Sequence, residues 1–372
     1  MAFDNCQTID LEAWGQILST SLKGARFPVS ATFEMTPRCN MNCVHCYINE
    51  APNDKAAKQR ELSTAQIKYL VDQMVDAGVL FLTLTGGEPL LRHDFVEIYT
   101  YARRKGLLVV LFTNATMMTD EIADLLRDVP PFNVEISLYG ATQQVYESVT
   151  RVPGSYANCL RGIELIRQRG IPLTLKSELM TLNHSELHAM KAMADQMDLS
   201  FRYDGLLWPR LDGSSEFPLK VQLPLETLLA FDNDDLDRQK SVQEEVERLK
   251  DLKTRDERVF SCGAGLRSFH LDSQGRMSIC MMSRRPSYSL LEMPLMQAWH
   301  QIGELRNLKR SLPSPCLSCD LNVFCGQCPG WSQAIHGDME TVVEFVCKQG
   351  KLRSMNALHF HDIELKEVIN YE

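Results

Sequence analysis

The chain has 372 residues, 44% hydrophobic and 23% charged, a composition that excludes disordered and fibrous classes and suggests two domains. Its 48 acidic residues outnumber 39 Lys and Arg, for a formal net charge of −9, so counterion release gives nucleic-acid binding no basis. The sequence has no run of about eighteen apolar residues and no signal-peptide layout at its N-terminus, and it predicts a soluble, cytoplasmic protein with neither membrane nor nucleic-acid partners.

From Ser30 to Asp204, strand-like and helix-like stretches alternate. Apolar or β-branched runs at Ala31–Met35, Val79–Leu84, Leu107–Phe112, Phe132–Leu138, Ile171–Ser177 and Leu199–Tyr203 read as strands. Between them, Ser63-Thr64-Ala65-Gln66 is a capping-box sequence ahead of Ile67, Leu70, Val71 and Met74 at helical spacing. Thr119 opens a helix with Ile122 and Leu125, Tyr156–Arg169 forms another, and Asn183 precedes one over His184–Met197. Repeated strand–helix units predict an α/β fold, a partial (β/α)6 TIM-like barrel with right-handed crossovers. Chemistry in such sheets sits at the carboxyl ends of the strands.

Composition shifts after Pro224. Asp232–Arg258 is highly charged with no large apolar face and reads as a solvated connector. Beyond it, Phe269–Leu271, a turn at Asp272-Ser273-Gln274-Gly275 and Met277–Met281 read as a β-hairpin. Ser311–Gly330 carries four cysteines and too little apolar content for a core, so metal is expected to hold it. The predicted division is an N-terminal extension over 1–28, the barrel over 29–225, a helical connector over 226–258 and a cysteine-rich domain over 259–372.

Twelve cysteines in a chain of this class point to metal binding or catalysis rather than disulfides. Cys39, Cys43 and Cys46 follow the first strand at gaps of three and two residues. Zinc would want a fourth ligand, and His45 beside Cys46 is awkwardly placed to share one ion. A four-iron cubane on three thiolates leaves one iron free to bind a cofactor directly. At the end of the second strand, Gly86-Gly87-Glu88-Pro89 offers close backbone approach and an acceptor.

These two motifs resemble those of the radical S-adenosylmethionine (SAM) superfamily. The resemblance implies that the open iron chelates the amino and carboxylate groups of SAM, and that one electron cleaves it to methionine and a 5′-deoxyadenosyl radical. It makes Gly86, Gly87, Glu88 and Pro89 contacts to SAM, with His45 a further cofactor contact on the cysteine loop. Ser137 matches the family serine that reaches the SAM ribose or carboxylate, and Arg151 the basic residue near that carboxylate. Asn114 lies in Thr113-Asn114-Ala115, where relatives read Thr-Asn-Gly, and loss of the glycine predicts a reshaped strand end.

Cys262, Cys280, Cys316, Cys319, Cys325, Cys328 and Cys347 resemble the SPASM extension of peptide-modifying radical SAM enzymes, with two residues rather than three in the last gap. The resemblance implies two auxiliary four-iron clusters, making three [4Fe-4S] clusters in all. Cys316, Cys319, Cys325 and Cys347 would hold one, and Cys262, Cys280 and Cys328 the other, with Ser268 where some relatives place a further cysteine. Cys159, on one helical face with Ile163 and Ile166, reads as a buried small hydrophobe, and Cys6 as incidental.

Among the branches, sulfatase-type maturation is disfavoured because Met281-Met282, and no carboxylate, follow Cys280. The expected function is hydrogen abstraction from a ribosomally synthesised precursor peptide, giving a crosslink, excision or epimerisation. Two alternatives stand beside it: action on tetrapyrrole propionates in a haem pathway, with Arg202, Arg210 and Arg284-Arg285 as the basic pocket, and a zinc-stapled non-enzymatic binding protein. Asp204, Trp208, Arg210 and Asp212 at the sixth strand end, with Tyr139 and Met281, are candidates on the substrate side; Asp204, Tyr139 and Arg210 are the catalytic candidates. The resemblance also implies an electron donor such as flavodoxin or ferredoxin. The residues before the barrel are too few for a PqqD-like leader-recognition domain, so a separate partner or direct leader binding is expected.

Overall fold

The computed structural model describes residues 25–213, 217–235, 238–240, 257–311, 315–317, 319, 321 and 324–359. Cys6 and the middle of the charged connector lie outside the described residues. Six parallel strands, β1 (Ser30–Glu34), β2 (Phe81–Thr85), β3 (Leu108–Thr113), β4 (Asn133–Ser137), β5 (Leu173–Glu178) and β6 (Ser200–Asp204), pair in sequence order. The crossovers carry α1 (Lys55–Arg60), α2 (Thr64–Asp76), α3 (Phe95–Arg104), α4 (Asp120–Asp128), α5 (Gln143–Thr150), α6 (Ser155–Arg167) and α7 (Leu187–Gln196).

Local sequence accounts for these elements. The Ser63 side chain caps α2 by accepting from the Gln66 N–H while the Gln66 side chain returns to the Ser63 backbone, and Ile67, Leu70, Val71 and Met74 are all buried. Thr119 caps α4 in the same sense. Strand side chains alternate between faces. Leu82, Leu84, Val109, Leu111, Val134, Ile136 and Leu175 join the helices in the core, each worth about 1.5–3 kcal/mol on burial. The alternate positions, among them Glu34, Glu135, Ser137, Lys176, Glu178, Arg202 and Asp204, line the other face.

The division at 258/259 does not interrupt the sheet. β7 (Ser268–Leu271) pairs in parallel with β1, and β8 (Arg276–Ser278) and β9 (Tyr288–Ser289) continue antiparallel, giving the order β6-β5-β4-β3-β2-β1-β7-β8-β9. The hairpin's second strand ends at Ser278, short of the expected Met281, so Cys280 lies beyond the ladder. The remaining described helices are α8 (Leu225–Asp234), α9 (Leu295–Glu304), α10 (Pro329–His336) and α11 (Glu344–His359). Beyond the Ser311–Gly330 segment, Trp331, Val343 and Val346 form a satellite cluster with Leu206, Trp208 and Leu219 of the barrel side. No helix among the described residues is long and apolar enough to cross a membrane.

Candidate active site

The loop after β1 is braced on both flanks. Arg38 pairs with Glu61 at 2.6 Å, both largely buried, and donates to Pro52 O at 2.9 Å. Backbone bonds run from Cys39 N to Glu50 O and from Val44 N to Val149 O. Three thiols are thereby set within electrostatic reach of one another: burial pushes the Cys39 thiol up to about 12, with Cys46 contributing, and pushes Cys43 and Cys46 up as well. Cys39 Sγ accepts from Met41 N at 3.3 Å and from Asn114 Nδ2 at 3.7 Å.

The paired glycines allow a close approach between two loops. Gly87 N donates to Thr36 O at 2.7 Å and Glu88 N to Arg38 O at 2.9 Å, so the β2 turn packs backbone to backbone on the cysteine loop. A Cβ on Gly86 would lie 2.3 Å from Thr36 O, and one on Gly87 2.2 Å from Arg38 O. Glu88 is fully buried and accepts from Leu90 N (3.0 Å), Thr113 Oγ1 (2.7 Å) and Asn114 N (2.8 Å). Three of its four acceptor positions are thus engaged within the fold. Pro89 begins a short 3-10 turn. Asn114, oriented by Thr116 and Asn40, carries this network onto Cys39. Ala115, which stands where relatives read glycine, adopts φ 58°, the left-handed region that glycine favours.

Other candidates fall in two groups. His45 is buried edge-on to Tyr139 at 4.8 Å between ring centroids, and burial lowers its pKa to about 4. Its Nδ1 has no partner. Burial pushes the Tyr139 hydroxyl far up, and it lies near Cys43, Ser137 and Glu178. Cys159 is fully buried and its Sγ donates to Ser137 O at 3.8 Å. Arg210 binds Asn49 of the cysteine loop at 3.1 Å and Asp212 at 3.2 Å. Asp204 accepts from Gly205 N (2.6 Å) and Leu206 N (3.0 Å), shaping the turn after β6. Away from these, Arg151 ends α5 at φ 58°, is exposed, and stands 5.1 Å from the Phe217 ring.

Sequence reasoning missed Glu178, Glu34, His270 and Trp331. Glu178 carried a signal, since it follows one residue after a predicted strand; the others depend on contacts between distant segments. Burial first, and then Asp204, push the Glu178 carboxyl up to about 8, against Lys176 and Arg202.

The radical SAM superfamily profile matches residues 33–197, the span from β1 to the end of α7. The chain is a radical SAM enzyme. It is 25% identical over 330 residues to an AdoMet-dependent heme synthase of Methanosarcina barkeri, covering 84% of this chain and 94% of that protein. It is 27% identical over 320 residues to the antilisterial bacteriocin subtilosin biosynthesis protein AlbA of Bacillus subtilis, covering 81% and 67%. In fold it is similar to SuiB of Streptococcus suis bound to S-adenosylmethionine, with TM-score 0.64 and 15% identity over 93% of this chain and 83% of that one.

The residues of this radical SAM enzyme fit the groups the family uses. Three soft thiols on one braced loop suit an iron–sulfur cluster, and the unpartnered Nδ1 of His45 is a buried donor or acceptor awaiting a ligand. The C-terminal cysteines separate into two groups. Burial raises Cys325, to which Cys347, Cys316 and Cys319 add. Burial likewise raises Cys328, to which Cys280 and Cys262 add. Ser268 opens β7 and is held in the sheet opposite Ser30.

Proposed function

We propose that this radical SAM enzyme matures a ribosomally synthesised peptide. The observation that carries the reading is the charge balance at the strand ends. Three of the four arginines available for propionates are already ion-paired, Arg202 to Glu135, Arg284 to Glu34 at 2.5 Å and Arg210 to Asp212, while Arg285 is exposed. Asp204 adds an acidic group beside Arg202 on the same strand. A multiply anionic tetrapyrrole would meet mostly committed cations among these residues, whereas a peptide backbone needs only donors and acceptors. In further support, SuiB has been seen bound to its precursor peptide SuiA, and AlbA serves bacteriocin biosynthesis.

In this reading Cys39, Cys43 and Cys46 hold the SAM-binding [4Fe-4S] cluster. Cys316, Cys319, Cys325 and Cys347 hold one auxiliary cluster, and Cys262, Cys280 and Cys328 the other; the two thiol groupings support that division. When bound, the first cluster and SAM supply a 5′-deoxyadenosyl radical, and the auxiliary clusters an electron acceptor. The chain's own task is placement. Glu88 fixes Asn114, which donates to Cys39, and Arg210 holds the far side of the loop through Asn49. His45 and Tyr139 pack edge-on, with Tyr139 beside Cys43. Gly86, Gly87, Pro89, Ser137 and Arg151 remain the SAM contacts implied by the family motifs. A cytoplasmic setting, a flavodoxin or ferredoxin donor and a separate PqqD-like leader-binding protein complete the reading; loss of leader affinity on deleting residues 1–28 would argue for direct binding instead.

Action on a tetrapyrrole is the second reading, favoured by the near full-length match to the heme synthase of Methanosarcina barkeri. The test uses anaerobically reconstituted protein with SAM and a strong reductant, given either the precursor peptide encoded beside its gene or an iron porphyrin carrying propionates. A mass change in the peptide with 5′-deoxyadenosine formed supports maturation. Porphyrin decarboxylation with an unchanged peptide overturns it.

A further inference from the structure

We propose that Glu34 is a positioning residue: through Arg284 and His270 it fixes the Cys280–Arg284 segment against the cysteine loop, and so sets how the inner auxiliary cluster stands relative to the SAM-binding one. This rests on the reading of Cys280 as a ligand of that cluster.

Glu34 is the last residue of β1, only five residues before Cys39, and is 3% exposed. Its carboxylate takes both terminal nitrogens of Arg284, Nη1 at 3.0 Å and Nη2 at 2.5 Å. The third donor of that fork, Nε, returns to Met281 O at 2.9 Å. One guanidinium therefore fastens both ends of the turn Met281–Arg284 to the barrel. On the other flank His270 Nε2 stands 3.3 Å from Glu34 Oε1, and His270 Nδ1 meets Ser278 Oγ at 3.1 Å. The Ser278 hydroxyl donates to Cys280 O at 3.1 Å. Tyr47, which follows Cys46, donates to Met281 Sδ at 3.2 Å. The residues before and after Cys280 are thus tied to the end of β1 through His270 and Arg284, and Met281 to the SAM-side loop through Tyr47.

A charge at this depth costs several kcal/mol of desolvation before its partners offset it. Strand β1 does not need it, since Ala31 and Phe33 already supply its core face. Two partners from separate segments hold the carboxyl down to about 2 although burial alone would raise it. A buried ion pair that bridges elements specifies their placement more than it stabilises them.

The test is made on the full chain reconstituted with iron and sulfide, comparing Glu34→Gln and Arg284→Lys with the parent by iron content, electron paramagnetic resonance and cluster midpoint potential. Glu34→Gln should keep about twelve irons per chain while altering the signal of one auxiliary cluster and moving its potential positive, because the Arg284 charge loses its counter-ion. Arg284→Lys keeps the charge and loses the fork, and should alter the same signal with a smaller shift in potential; it also serves if Glu34→Gln does not fold. Either variant at full iron content with unchanged signal and potential overturns the proposal. Cys280→Ala separates the two ideas: full iron content and an intact auxiliary signal would remove the ligand assignment itself.

Discussion

Glu178 at the end of β5 lies in register beside Asp204 at the end of β6. Asp204 spends its acceptor on the turn amides of Gly205 and Leu206, while Glu178, more enclosed, is driven toward its neutral form. Burial and the neighbouring carboxylate thus favour the protonated form of Glu178.

That preference has a sign. The folded-state pKa of Glu178 is raised from 4.5 to about 8, so the folded chain keeps a proton that the unfolded chain releases. Stability contributed at this site is full below about pH 4.5 and falls as pH rises toward 8. Glu178→Gln cannot ionise and should gain on the parent across that window, by on the order of 3 kcal/mol at pH 8. Urea unfolding at pH 5 and pH 8 reads the difference directly; equal gains at both pH values would refute it.

Gly87→Ala should damage the cysteine loop before it damages the fold. The added carbon would sit 2.2 Å from Arg38 O, forcing the β2 turn off the loop at a cost of about 1–3 kcal/mol. Lower iron content and at least a tenfold loss of 5′-deoxyadenosine are expected, with far-ultraviolet circular dichroism retained. Full activity would mean that the two loops do not need this approach.

The two thiol groupings make separable predictions. Cys325→Ala and Cys328→Ala should each remove about four irons per chain, and the double variant about eight. If one substitution stripped both sets, the grouping of Cys325 with Cys347 and of Cys328 with Cys280 would not describe two clusters.

Trp208, in the segment after β6, meets Trp331 of α10 at 4.5 Å between ring centroids. Trp208→Ala should cost about 3 kcal/mol and loosen α10 from the barrel side. Hydrogen exchange confined to α10 and α11 would show it. Uniformly faster exchange in β1–β5 would instead mark general destabilisation.

The sequence by itself determined most of the barrel. Alternating apolar runs placed six strands to within about two residues, and the caps at Ser63 and Thr119 placed two helix starts, because period and capping are written within a few neighbouring residues. The cysteine spacing and the Gly86-Gly87-Glu88-Pro89 turn marked the site for the same reason. Tertiary structure alone decided what depends on contacts across the chain. Only it shows β7 beside β1, more than two hundred residues away in sequence, or Glu34 meeting His270 and Arg284. Only it shows that the glycines let the turn reach the Thr36 and Arg38 carbonyls, and that three of the four candidate arginines are already paired. A side chain's charge is fixed by its own chemistry, but whether that charge is free to meet a substrate is set by whatever the fold brings against it.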